Sequence, residues 1–374
     1  MFQHVFLKGS DPDALVEELV SALREVPESA GLGFLYFDGK LAPHIDGILD
    51  QLRDQTPVDH WVGSVAGGLI GSGIESYGRP AISVLVTDIE ADSYRLLPAV
   101  YDDVSPGLDD SRAWRNAHLS SFGVVHGDPR NPRIPALIAG LSAGMEGGFL
   151  VGGLSSSQGN DLVQIAGDRI ENGLSGVLFS GSVPVVTGVT QGCTLFGHRH
   201  EVTGADAHIL TRLDGRPALE VLNEEVGDIL ARDPRRMAGY IFAALHIPGS
   251  DTGDYLVRNL LGIDPDNGAL AIGDHLAEGM QLQFARRDAD TAREDLRRML
   301  ASVRSRIDGE PAGALYFSCL GRGENLFGPD SAELSIVREE LGDLPLAGFY
   351  ANGEISHNRL YGYTGVLTVF LERG

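Results

Sequence analysis

An α/β fold made of internally repeated strand-helix-strand units, forming mixed sheets packed with helices in two halves, is what the sequence predicts. Three observations carry this expectation. One pattern of apolar strand, amphipathic helix, Gly-rich strand and β-branched strand occurs three times. The apolar periodicity switches from 3.6 in the helices to short unbroken runs in the strands, as for strands covered by helices. The 49 glycines, about twice the usual share of roughly 7%, cluster at the ends of those runs, where tight turns or close approach favour them.

The first copy opens with Gly33-Phe34-Leu35-Tyr36-Phe37 and passes through a helix carrying Ile45, Ile48, Leu49 and Leu52. It continues with Trp61-Val62-Gly63-Ser64-Val65-Ala66-Gly67-Gly68 and closes with Ala81 to Thr87. The second runs from Phe122-Gly123-Val124-Val125 through a helix over Ile134 to Met145, then Phe149 to Gly153 and Gly176 to Phe179. The third starts at Gly313-Ala314-Leu315-Tyr316-Phe317, passes Leu334 and Val337, then Leu346 to Phe349, and ends with Thr364 to Phe370. The period is irregular and the insertions are long, which excludes a solenoid and favours helices packed on mixed sheets.

Further helices are expected after Ser10, read as a cap before Asp11, Pro12 and Asp13, and over Thr291 to Val303. Asp102 to Ser111, rich in Asp, Gly, Pro and Ser, reads as a surface loop. Leu213-Asp214-Gly215-Arg216-Pro217 reads as a turn near the join of two domains, 1–220 and 221–374.

Acidic residues exceed basic ones by 52 − 29 = 23 and no basic cluster occurs, which argues against a nucleic-acid partner. Two cysteines in no metal or redox spacing, no signal-like amino terminus and no apolar window of about 20 residues point to the cytoplasm without membrane insertion.

Several chemical signatures fail on spacing or order. There is no phosphate-loop fingerprint, and at Gly321-Arg322-Gly323, the nearest approach, Leu326 stands where the third glycine belongs. Gly140-Leu141-Ser142-Ala143-Gly144 matches a nucleophile elbow, but here the helix precedes the strand. His198-Arg199-His200 lacks a third zinc ligand. Two features stay open. Gly153-Leu154-Ser155-Ser156-Ser157 follows a buried strand and is either an anion site or a solvated turn. Arg258 and Asn259 interrupt an apolar run, so the arginine needs a partner: an acidic residue such as Glu354, or a ligand carboxylate.

The ordered succession of Trp61-Val62-Gly63, Val151-Gly152-Gly153, Thr190-Gln191-Gly192-Cys193, Leu213 to Glu220, Tyr255 to Asn259 and Gly348 to Ile355 resembles the FIST family over nearly the whole chain. The resemblance implies a sensory domain for a small ligand, amino-acid-like, in signal transduction, with haem binding and gas sensing known among some relatives. Because the two halves fill the chain, output is expected through a separate signalling partner or through oligomeric assembly. Arg258 and Asn259 are expected to anchor an anionic group in a cleft between the halves. Cys193, Gln191, Ser155, Glu354, Asn352 and Cys319 are expected to line it. No cofactor is required by this reading; haem held by one histidine is an alternative, as is an enzyme using Cys193 or Cys319 as nucleophile or Glu354 as base.

Overall fold

The computed structural model describes the chain except residues 119, 146, 158, 160, 232–239, 248–254 and 373–374. Two compact units result, one of residues 1–191 with 293–374 and one of residues 192–292.

The first unit begins with β1 (Phe2–Lys8), α1 (Pro12–Leu23), β2 (Leu32–Asp38), α2 (Ile45–Gln55), β3 (His60–Ala66), β4 (Gly68–Gly71), β5 (Ile74–Tyr77) and β6 (Ala81–Thr87). After β7 (Tyr94–Val100) and α3 (Ser105–His118), the pattern returns as β8 (Ser120–Gly127), α4 (Ile134–Ala143), β9 (Phe149–Leu154), β10 (Val163–Ala166), β11 (Asp168–Glu171) and β12 (Leu174–Ser180), followed by β13 (Val185–Gln191).

The second unit holds β14 (Cys193–Asp206), β15 (Ile209–Leu213), β16 (Arg216–Pro217), α5 (Ala218–Ala231), β17 (Ile241–His246), β18 (Tyr255–Asp264), β19 (Ala269–Ile272) and β20 (Gln281–Arg287). Its strands are all antiparallel, and β14 pairs with β20 along its first part and β15 along its second, so the sheet closes on itself. Leu210, Leu270, Phe284 and, from α5, Leu222 are fully buried in its core.

After α6 (Ala289–Arg306), the third copy follows as β21 (Pro311–Cys319), α7 (Glu324–Phe327), α8 (Ala332–Leu341), β22 (Leu346–Ala351), β23 (Glu354–His357), β24 (Arg359–Tyr361) and β25 (Thr364–Leu371).

The three copies build three sheets by a cyclic exchange. Each copy supplies two parallel strands, β2 with β3, β8 with β9 and β21 with β22, flanked by its own antiparallel strand, β6, β12 or β25. The hairpin that follows the second parallel strand leaves its own sheet. β4–β5 pairs with β22, β10–β11 with β3, and β23–β24 with β9. The result is quasi-threefold: every sheet is completed by a hairpin from another copy.

A glycine marks the same point in each copy. Gly63, Gly152 and Gly348 lie opposite Leu35, Val125 and Tyr316 across the parallel pairs. A Cβ at any of the three would overlap the carbonyl oxygen of that partner. This close approach is what excludes a side chain there.

Alternation puts one set of side chains from each sheet into a shared core and the other under helices. Phe34, Phe122, Val151, Leu315, Phe349 and Phe370 meet in the shared core. On the outer faces α1 and α2 bury Leu19, Leu23 and Leu52 against Leu35 and Trp61, and α4 buries Ile138 and Leu141 against Val125 and Leu150. Met299 of α6 lies against Gly188 of β13.

Two local expectations are corrected. The cap of α1 is Asp11, whose side chain accepts from the Asp13 backbone N–H at 3.1 Å, so Ser10 lies outside the helix. Residues 105–111, expected in a loop, form the first half of α3. The helix holds there because it rests on β7 where Gly107 permits close approach to Leu97 and Val100, and because Ser111 Oγ donates to the Gly107 carbonyl.

Candidate functional site

Within the first unit the parallel pairs end together, and Ser156 ties them. Its backbone N–H donates to Val65 O at 3.3 Å, its hydroxyl donates to Tyr350 O at 2.5 Å, and the Gly67 N–H donates to that hydroxyl at 3.0 Å. The ends of β3 and β22 and the residue that follows β9 by two are thereby joined through Ser156. Open α/β sheets place ligands outside the carboxyl ends of such strands.

A depression of about 280 Å³ lies at these ends, lined by Asp38, Gly39, Lys40, Ala66, Gly67, Ser157 and Asp161 among others. Asp38 closes β2 and accepts from the Lys40 N–H at 3.1 Å; its partial burial raises its pKa. The glycines keep the walls low, and Gly67 sits against Leu320 of the third copy. The depression thus offers charges of both signs and exposed main chain.

Beneath it, Ser155 is fully buried; its hydroxyl meets Ser64 Oγ at 2.8 Å and receives the Gln164 amide. One row of inward-facing residues along these strands forms an aromatic layer. Tyr36, His126, Phe317 and Phe349 stand with ring centroids 5.1 to 5.9 Å apart. Burial drives the His126 pKa down to about 3, so the ring is neutral.

The end of β21 carries a denser polar group. Arg322 and Glu333 are fully buried and paired, Nη2 to Oε1 at 2.8 Å, and Glu333 also accepts from Tyr316 Oη at 2.6 Å and the Gly323 N–H at 2.8 Å. Phe327 covers the guanidinium at 5.0 Å. Beside this pair Glu354 Oε2 accepts from the Thr364 N–H at 3.0 Å and hydroxyl at 2.8 Å. Burial lifts the Glu354 pKa to about 8. The Cys319 thiol faces that carboxyl, and burial with the carboxylate's charge pushes the thiol well above its ordinary range. A thiol held protonated is a poor nucleophile.

The residues named from sequence divide between the units. Glu354, Cys319, Ser155 and Asn352 belong to the strand ends of the first unit; Asn352 is exposed and its N–H donates to Leu154 O. Gln191 ends β13, where its N–H donates to Asp295 at 2.7 Å. Cys193, Arg258 and Asn259 belong to the second unit. There Arg258 Nε pairs with Asp274 at 2.7 Å, and Cys193 is buried with its carbonyl accepting from Tyr255 Oη. Asp274 is therefore an acidic partner of Arg258.

His200 is held between Asp214 and Glu225, and the His126 ring is packed among three aromatic rings. Sequence reasoning missed Arg322, Glu333 and His126. The first sat inside a failed nucleotide fingerprint, and the signal available was an arginine flanked by glycines directly after a buried strand.

Comparison with known proteins places this architecture. The chain matches the FIST N domain over residues 31–216 and the FIST C domain over residues 218–357. An uncharacterised protein of Mycobacterium tuberculosis strain H37Rv is 34% identical over 330 residues, covering 83% of both chains. An uncharacterised protein of Mycobacterium bovis is 33% identical over 328 residues with the same coverage.

Proposed function

Because the chain belongs to the FIST family, a family of small-ligand sensory domains, we propose that it is a cytoplasmic sensor that binds a small amino-acid-like metabolite and signals through a separate protein. The observation that supports this reading is the depression at the ends of β2 and β3. A zwitterion needs both charge signs within a few ångströms, and Lys40 faces the same hollow as Asp38 and Asp161. The ammonium of Lys40 suits a carboxylate, and the two aspartates suit an α-ammonium. Bound ammonium beside Asp38 would offset the desolvation that raises its pKa. No helix among the described residues is long and apolar enough to cross a membrane.

Thermal unfolding across the twenty amino acids tests this. At least one ligand raises the midpoint by mass action, and Lys40→Ala and Asp38→Asn each remove the rise without lowering the midpoint of the free protein. Arg258, held by Asp274, is the alternative anion anchor. Loss of the response in Arg258→Ala with retention in Lys40→Ala would move the site there. A flat panel overturns the amino-acid reading.

A further inference from the structure

The end of β21 contains two buried polar atoms that the fold leaves open. Arg322 Nη1 and Glu354 Oε1 have no hydrogen-bond partner among the described residues, and both side chains are fully buried. Charged and ionisable groups are rarely left so, because each open donor or acceptor out of water is costly. The rest of each side chain is engaged. The guanidinium is paired with Glu333 and stacked on Phe327, and Glu354 Oε2 takes both donors of Thr364.

The chemistry of the two open atoms has one sign. Two donors onto Oε2 leave the proton of a neutral Glu354 on Oε1, so Oε1–H is a donor, as Nη1–H always is. Cys319 connects them: its thiol faces the Glu354 carboxyl and senses the Arg322 charge. Cys319 is also the partly exposed member of the three.

We infer that Arg322, Glu354 and Cys319 form a second binding site, distinct from the depression, that takes the carboxylate of a small organic acid through the Nη1–H and Oε1–H donors. An acceptor-only group with two oxygens suits two donors, whereas an ammonium would bring donors to donors. Glu333 already balances the arginine, so the ligand carboxylate is held by hydrogen bonds, one of them from protonated Glu354, and its binding is coupled to that proton. The titratable groups facing Glu354 are Cys319 of β21, Arg322 of the following loop and Tyr361, its register partner on β24.

The probe is ¹³C-acetate with the full chain, its line broadening followed at pH 6.5 and pH 9. With the Glu354 pKa near 8, the wild type binds about tenfold more weakly at pH 9, since roughly one site in ten stays protonated there. Glu354→Gln keeps the acceptor toward Thr364 and presents an amide N–H in place of Oε1–H. It therefore binds equally at both pH values, and Lys40→Ala behaves as the wild type. Absence of broadening at both pH values overturns the inference, as does broadening independent of pH in the wild type. A pH dependence that persists in Glu354→Gln also overturns it, and loss in Lys40→Ala assigns acetate to the depression instead. Methylammonium, a cation of the same size, gives no broadening.

Discussion

His126 stands 5.5 Å, centroid to centroid, from Tyr36, and neither its ring nitrogens nor the tyrosine hydroxyl meets a hydrogen-bond partner among the described residues. Two polar groups thus face each other in the middle of an aromatic layer. Their burial follows from strand alternation, since each is the inward residue two positions beyond an apolar one, Phe34 or Val124.

That arrangement makes His126→Phe a stabilising change, by about 1 kcal/mol at pH 7 from removing an unsatisfied buried group. The pH dependence has a definite sign. The ring binds its proton near pH 6.5 when unfolded but only near 3 when folded, so the unfolded state holds more protons between those values. Stability from this group is complete above pH 6.5 and falls by about 1.4 kcal/mol per unit as pH drops toward 3. Urea unfolding at pH 7 and pH 5 should show the gain of the variant widening at pH 5.

Glu354 acts in the opposite direction. Its folded pKa near 8 exceeds the ordinary 4.5, so the folded state holds the extra proton between them and stability falls as pH rises through that window, by about 1.4 kcal/mol per unit. Between pH 4.5 and 6.5 this offsets the histidine. Glu354→Gln removes the slope, and its unfolding free energy relative to the wild type should rise from pH 5 to pH 8.

Gly152→Ala drives a methyl group into the Val125 carbonyl oxygen, which is strand backbone and cannot swing aside as a side chain could. A loss of about 3 kcal/mol or more is expected, with the same outcome at Gly63 and Gly348. Gly47→Ala is the contrast. It lies within α2 with open space around it, and should gain up to about 1 kcal/mol from helix propensity. Chemical denaturation of the two variants side by side checks the difference.

Arg322→Met strands the buried Glu333 charge and should cost about 3–5 kcal/mol. Arg322→Met combined with Glu333→Leu should recover part of that loss, because the uncompensated charge is gone. Thermal midpoints of the single and double variants decide it.

The repeated unit was legible because buried strands leave a local imprint: Leu32 to Phe37, Gly123 to Val125 and Ala314 to Phe317 are apolar runs closed by glycine or polar residues. The exchanged hairpins were not, since Leu69 meets Phe349 across a separation that no local pattern encodes. The α3 segment was misread for a physical reason too. Gly107 and Ser111 signal a turn by composition, but serve here as the small and self-bonded residues that let a helix lie on β7. Of the polar groups at the strand ends, Cys319 and Ser155 could be named from their places beside strands, and Glu354 through the family resemblance. What binds them to Arg322, Thr364 or Gln164 is a matter of sheet pairing in three dimensions.

The cyclic exchange of hairpins also sets a timetable for synthesis. The β4–β5 hairpin is complete once Tyr77 has been made, yet its strand partner β22 begins at Leu346. At a ribosomal rate of about 5–20 residues per second, the hairpin waits on the order of 15–50 s. During that interval its edge is open while the whole of residues 192–292 is being translated. The first copy therefore cannot mature as it emerges. Closure of the ring falls to the last strands made, and a chain released early would carry unpaired edges from every copy already synthesised.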